Sequence, residues 1–168
     1  VAENLEELIR IQIENNVSLI YEASACGGIP IIRTLEEYYD NEELRSLSGI
    51  FNGSSNFILS KIYNEKLSYA EALKQAQELG FAETDPRLDV EGYDPKYKLV
   101  ILALHAYGII LHPTKVFNSG ISNLSGQEIE LYRSKGIRIK LNPVIRKNKN
   151  GKLSAFVIPQ LINESHQL

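Results

Sequence analysis

Glu83-Thr-Asp-Pro-Arg-Leu-Asp-Val-Glu-Gly-Tyr-Asp94-Pro-Lys-Tyr-Lys98-Leu-Val-Ile-Leu-Ala-Leu104 is the stretch on which the reading of this chain turns. Five carboxylates, Glu83, Asp85, Asp89, Glu91 and Asp94, fall within twelve residues and run into the apolar segment Leu99–Leu104, which reads as a buried helix. Carboxylates repel one another and are costly to desolvate, so crowding them at the mouth of a core element stabilises nothing unless they find partners. Asp94 and Lys98 stand four residues apart and share one face of that helix. A lysine held beside a carboxylate, with its stem on apolar residues, suits a proton donor or a substrate clamp. The competing reading is structural: acids favour helix N-termini, and an i, i+4 Asp–Lys pair is commonly a surface pair worth a few tenths of a kcal/mol.

Outward from this stretch the chain reads as alternating helices and strands. Leu5, Leu8, Ile9 and Ile13 form a helical apolar stripe within Ala2–Asn15. Val17–Glu22 reads as a buried strand, Gly27-Gly28 as a turn, and a helix starts near Pro30. Arg45–Phe51 reads as a strand and Asn52-Gly53 as a turn, with Ser54 or Ser55 capping a helix to about Asn64. Ser68-x-x-Glu71 and Ser125-x-x-Glu128 are capping boxes, with Gly80 and Gly136 as stops. Asp94 opens a helix ending near Gly108. Ile137–Arg146, the Asn150-Gly151 turn and Leu153–Ile162 predict a long β-hairpin. The expectation is one α+β domain over residues 1–168, with helices packed on one face of a mostly antiparallel or mixed sheet.

Composition narrows the function. The 168 residues are 43% hydrophobic and 23% charged, as in an ordinary globular domain. A net charge of −3 leaves no electrostatic footprint for nucleic acid or an anionic membrane. Leu99–Leu111, the longest apolar run, is broken by His105 and Gly108 and is too short to span a bilayer. Cys26 is the sole cysteine, so no intramolecular disulfide forms and a reducing cytoplasm is expected. No Gly-x-Gly-x-x-Gly follows a strand, so the dinucleotide fingerprint is missing. The absence of methionine and the start inside a helix point to a piece of a longer protein.

Three segments carry a resemblance. Leu79–Ala103 resembles the catalytic-domain signature of the homoserine dehydrogenases; Tyr21-Glu-Ala-Ser-Ala-Cys-Gly-Gly-Ile-Pro-Ile-Ile32 resembles their Glu-Ala-Ser/Thr…Gly-Ile/Leu-Pro loop; Ser48-Gly-Ile-Phe-Asn-Gly-Ser-Ser-Asn-Phe-Ile-Leu59 resembles their Gly-Ile-x-Asn-Gly-Thr-x-Asn stretch. The three occur in the family's order. The resemblance implies a domain like the C-terminal domain of glyceraldehyde-phosphate dehydrogenase, with the nucleotide-binding domain absent from this chain. It implies an oxidoreductase interconverting L-homoserine and L-aspartate 4-semialdehyde with NAD(P), in threonine, isoleucine and methionine biosynthesis, and a homodimer.

The same resemblance assigns residues. Lys98 falls at the family's proton-donor lysine, Glu83 at a carboxylate binding the substrate's ammonium, and Asp94 at a carboxylate contacting substrate. Physical chemistry agrees: an ammonium wants a fixed anion, and an alkoxide left by hydride arrival wants a cation that can release a proton. Gly53 and Ser54 fit a substrate loop, the glycine for close approach and the hydroxyl for a carboxylate or carbonyl oxygen; Ser54 also suits a helix cap. Glu22 and the backbone of Ala25, Gly27 and Ile29 resemble the family's site for a monovalent cation such as sodium. Lys96 is expected in solvent, Asp85 to be structural, and Asp89 to be either structural or substrate-binding. His105 reads as a packed core histidine, His112 and His166 as loop residues, and Tyr38, Tyr39 and Phe51 as core or dimer-interface residues. The rival from another class is a non-catalytic dimerisation or cation-binding module built on the carboxylate loop, although Asp85–Asp94 lacks the order of a calcium loop.

Overall fold

The computed structural model describes residues 1–39, 43–166 and 168. A turn of 3-10 helix, Ala2–Asn4, leads into α1, Leu5–Asn15, which ends where Asn16 takes a left-handed conformation at φ 50°. Helix α2 spans Ile31–Tyr38 and strand β1 spans Ser46–Ser48. Helices α3 (Gly53–Glu65), α4 (Tyr69–Glu78), α5 (Arg87–Val90) and α6 (Tyr93–Tyr107) follow. Then come β2 (Phe117–Asn118), α7 (Gly126–Ser134), β3 (Ile137–Lys147) and β4 (Leu153–Asn163).

Both predicted capping boxes form: Ser68 and Ser125 each accept from the backbone N–H three residues on, while Glu71 and Glu128 reach back to the cap. The predicted hairpin is the backbone of a four-stranded mixed sheet of order β1-β3-β4-β2. Its register runs from Ile137 opposite Asn163 to Lys147 opposite Leu153. β1 joins β3 antiparallel, and β2, which periodicity did not reveal, joins β4 parallel over two residues. Leu141, Ile145 and Val157 of the hairpin are buried with Leu99, Val100 and Ile101 of α6. α6 is thus a core helix, as its unbroken apolar run requires.

Three local expectations are corrected. Val17–Glu22 is not a strand: the segment folds back along α1, with Val17 N–H donating to the Gln12 carbonyl and Leu19 N–H to the Gln12 side chain, and Ile20 is 89% exposed. An apolar run becomes a strand only beside an edge that takes its backbone groups, and none lies beside it among the described residues. Arg45–Phe51 shortens to the three residues of β1, because Gly49 N–H turns to the side chain of Asn142. The cap of α3 is Asn52, not Ser54 or Ser55; the Asn52 side chain accepts from Ser55 N–H.

Two glycines fix the joint that presents the carboxylates. Gly92, at φ 80°, lets the chain turn from α5 into α6. Gly120 lies on the backbone of Val90 and Glu91, so close that an added Cβ would fall 2.0 Å from the Val90 carbonyl oxygen. Beside it, Ile121 N–H donates to that same oxygen at 2.7 Å.

Candidate active site

The N-terminus of α3 meets the α5–α6 joint, and the meeting point is Asn52. This residue is 6% exposed. Its Oδ1 accepts from Ser55 N–H at 2.8 Å, closing the first turn of α3. Its Nδ2 donates to Asp89 Oδ1 at 2.6 Å and to Asp94 Oδ2 at 2.8 Å. Asp94 Oδ2 also accepts from Lys98 Nζ at 2.8 Å, one turn further along α6. Lys98 Nζ donates a second time, to the Phe51 carbonyl at 2.9 Å. The two side chains are 24% and 30% exposed, so the pair opens to solvent yet is firmly held.

Glu83 stands on the loop between α4 and α5. Phe81 stacks on Phe57 of α3 with ring centroids 4.6 Å apart, and Ser54 Oγ donates to the Phe81 carbonyl. Gln77 Nε2 donates to the carbonyls of Glu83 and Thr84. The loop backbone is therefore pinned against the start of α3, while the Glu83 carboxylate is exposed and makes no hydrogen bond among the described residues. Gly53 is exposed at the first position of α3, with open space where a Cβ would stand.

The remaining acids are committed. Asp85 is paired with Arg87, whose guanidinium hydrogen bonds hold its carboxyl down at about 2. Glu91 Oε1 accepts from Ser122 at 2.6 Å. Lys96 corrects the expectation of a solvated side chain. It is buried, its Nζ donates to Asn118 Oδ1 of β2 at 2.8 Å, and it lies over the Tyr93 ring at 4.5 Å. Burial pulls its ammonium below the ordinary lysine value, against the opposing charge of Glu3.

The family model described as homoserine dehydrogenase matches residues 30–168. The chain belongs to the homoserine dehydrogenase family. It is 39% identical over 162 residues to the homoserine dehydrogenase of Lactococcus lactis, covering 96% of this chain and 38% of that protein. It is 41% identical over 154 residues to the NAD(+)-dependent homoserine dehydrogenase of Pseudomonas canavaninivorans, covering 92% of this chain and 44% of that one. The crystal structure of a homoserine dehydrogenase from Thiobacillus denitrificans superposes with a TM-score of 0.94 at 37% identity, over 99% of this chain and 38% of that chain. The chain thus spans roughly two fifths of the length of these relatives.

Against the family-derived assignments, the structure brings Asp94 and Lys98 into direct contact and adds Asp89, through Asn52, to the same cluster. Ser54 sits at the α3 terminus, but its hydroxyl is engaged with Phe81. Asn52 is the residue that sequence reasoning missed; the Asn-Gly pair was visible only as a turn signal. The Glu22 carboxylate accepts from Ile32 and Arg33 N–H at 2.8 and 3.1 Å, capping α2. In the loop after it, the carbonyls of Ala25 and Gly27 accept no hydrogen bond among the described residues, whereas that of Ile29 accepts from Ile31 N–H. His105 is packed as expected, and also polar-bonded, between Tyr21 Oη at 2.9 Å and Glu36 Oε1 at 2.7 Å. Tyr38 is 72% exposed and so is not a core residue. Cys26 is a partly buried free thiol.

Proposed function

We propose that this chain is the substrate-binding and dimerisation domain of an enzyme interconverting L-homoserine and L-aspartate 4-semialdehyde. The observation that carries the reading is the Asp94–Lys98 pair, locked at 2.8 Å beside a second carboxylate and facing solvent. Lys98 gives its proton to the alkoxide oxygen on reduction and recovers it on oxidation. Asp94 aims the Lys98 ammonium, and Glu83 on its pinned loop binds the substrate's ammonium. The cation-module rival is not favoured, because four of the loop's five acids, Asp85, Asp89, Glu91 and Asp94, already accept hydrogen bonds from Arg87, Asn52 or Ser122.

The described residues do not fit a nicotinamide dinucleotide. The sheet's parallel pairing covers two residues, and neither strand-to-helix turn, Gly49–Gly53 or Ser119–Gly126, carries Gly-x-Gly-x-x-Gly. NAD(P) is therefore assigned to parts of the protein outside these 168 residues. A monovalent cation such as sodium fits the 22–29 loop better: the carbonyls of Ala25 and Gly27 have no donor among the described residues, and each Glu22 oxygen retains a lone pair after its single bond. No helix among the described residues is long and apolar enough to cross a membrane.

The test is a pair of substitutions in the full-length protein. Lys98→Ala lowers kcat by about 10²- to 10⁴-fold with little change in KM, because the proton is needed only as the alkoxide forms. Glu83→Gln chiefly raises KM for homoserine, because its charge serves ground and transition states alike. Near-normal turnover in Lys98→Ala reduces the pair to a surface contact. The homodimer is checked by light scattering: a monomeric mass at micromolar concentration refutes it.

A further inference from the structure

An asparagine side chain has two N–H donors and one acceptor oxygen, and at Asn52 all three are used. The orientation of the amide follows from its partners. Two carboxylates only accept and the Ser55 backbone N–H only donates, so exchanging oxygen and nitrogen would leave every contact repulsive. One residue therefore does two separable things: it caps α3, and it places a donor on each of two neighbouring acids. The peptide it begins adds a third, since the Phe51 carbonyl accepts a hydrogen bond from Lys98 Nζ. Both ends of the Asp94–Lys98 pair are thus anchored to the same point on α3.

We propose that Asn52 is the positioning residue of the site, the clamp that fixes Asp94, and through it Lys98, in register with the start of α3. The proposal rests on the assignment of Lys98 as proton donor. The residue type is set by the two tasks together. Serine and aspartate cap a helix about as well as asparagine, so capping alone does not select asparagine. Serine cannot reach two acids with two donors, and aspartate brings a third negative charge between Asp89 and Asp94. Without the clamp, Asp94 relaxes away from Asp89, and Lys98, which shares Asp94 Oδ2 with Asn52, follows it. A misplacement of about 1 Å in a catalytic group costs up to about 100-fold in rate.

The experiment uses the full-length protein with Asn52→Ser, Asn52→Asp and Lys98→Ala. Two quantities are read. The first is homoserine oxidation, separated into kcat and KM. The second, independent of activity, is the rate of reductive methylation at Lys98, followed by mass spectrometry with exposed Lys74 as internal standard. Asn52→Ser, which retains the cap, lowers kcat by between about 10- and 100-fold, moves KM by less, and speeds methylation of Lys98 relative to Lys74. Asn52→Asp shows the larger loss of kcat; if it fails to fold, Asn52→Ser decides alone. A folded Asn52→Ser protein with unchanged methylation and unchanged kcat overturns the proposal, as does faster methylation with unchanged kcat. Full turnover in Lys98→Ala instead overturns the assignment of the proton donor, and the methylation rate still reports whether Asn52 holds Lys98.

Discussion

Gly120→Ala is the sharpest single test of how the site is held. The added methyl would lie 2.0 Å from the Val90 carbonyl oxygen, 2.4 Å from Glu91 Cα and 2.8 Å from the Glu91 carbonyl carbon. All three are backbone atoms, so no side chain can swing aside. Ordinary contact begins near 3.4 Å, so the segment must retreat by more than 1 Å. That retreat breaks the 2.7 Å bond from Ile121 N–H to Val90 and unseats Ile121, which is 0% exposed. A buried hydrogen bond lost costs about 1–3 kcal/mol, and overpacking about 1–3 kcal/mol more. The sum is roughly 2–6 kcal/mol, and at about 2–4 °C per kcal/mol for a domain of this size the melting temperature falls by at least about 4 °C. Denaturant unfolding of the 168-residue chain gives the free energy directly. Gly126→Ala is the control: its Cβ meets nothing within 4 Å in the first turn of α7, so the change is neutral or stabilising by up to about 1 kcal/mol. Because Val90 and Glu91 join the helices carrying Asp89 and Asp94, Gly120→Ala in the full-length protein also weakens homoserine binding. Stability within about 0.5 kcal/mol of the parent, a change ordinary for a surface substitution, would refute the close approach.

Asp94→Asn in the full-length protein falls between Lys98→Ala and Glu83→Gln, lowering kcat and raising KM together, since Asp94 bonds Lys98 and, on the function proposed above, contacts substrate as well; a change confined to KM would deny it the orienting role. Asp85, held at about 2 by Arg87, contributes stability that is complete above its ordinary value of 3.8 and is lost as pH falls through about 2. A carboxyl titration by NMR shows that low midpoint, and Arg87→Ala returns it toward 3.8; a parent midpoint already near 3.8 contradicts the pairing. Sodium raises the melting temperature of the parent chain relative to a bulky organic cation at equal ionic strength, and Glu22→Gln abolishes the difference; equal melting in both salts excludes the cation loop.

The sequence alone determined most features whose partners lie within a turn or two of chain, although it placed the α3 cap at Ser54 or Ser55 instead of Asn52. The capping boxes at Ser68 and Ser125 each close over three residues. The hairpin follows from alternation and its Asn150-Gly151 turn, and α6 from an apolar run that has to be buried. Even the Asp94–Lys98 pair is local, one helical turn, so its geometry was legible before its surroundings were. The three motifs sufficed for the family, because an ordered run of side chains needs no coordinates.

Only the tertiary structure decided what crosses the chain. Asn52 meets Asp89 and Asp94 across 37 and 42 positions, and nothing in an Asn-Gly pair says which acids it will face. Lys96 differs from Lys98 by two positions, yet one is buried against β2, a strand too short to announce itself by alternation. Val17–Glu22 had the composition of a strand and lacked an edge to pair with. The physical reason is the same in each case. A local hydrogen bond is chosen by its near neighbours, whereas a long-range one forms only where core packing happens to bring two elements to rest.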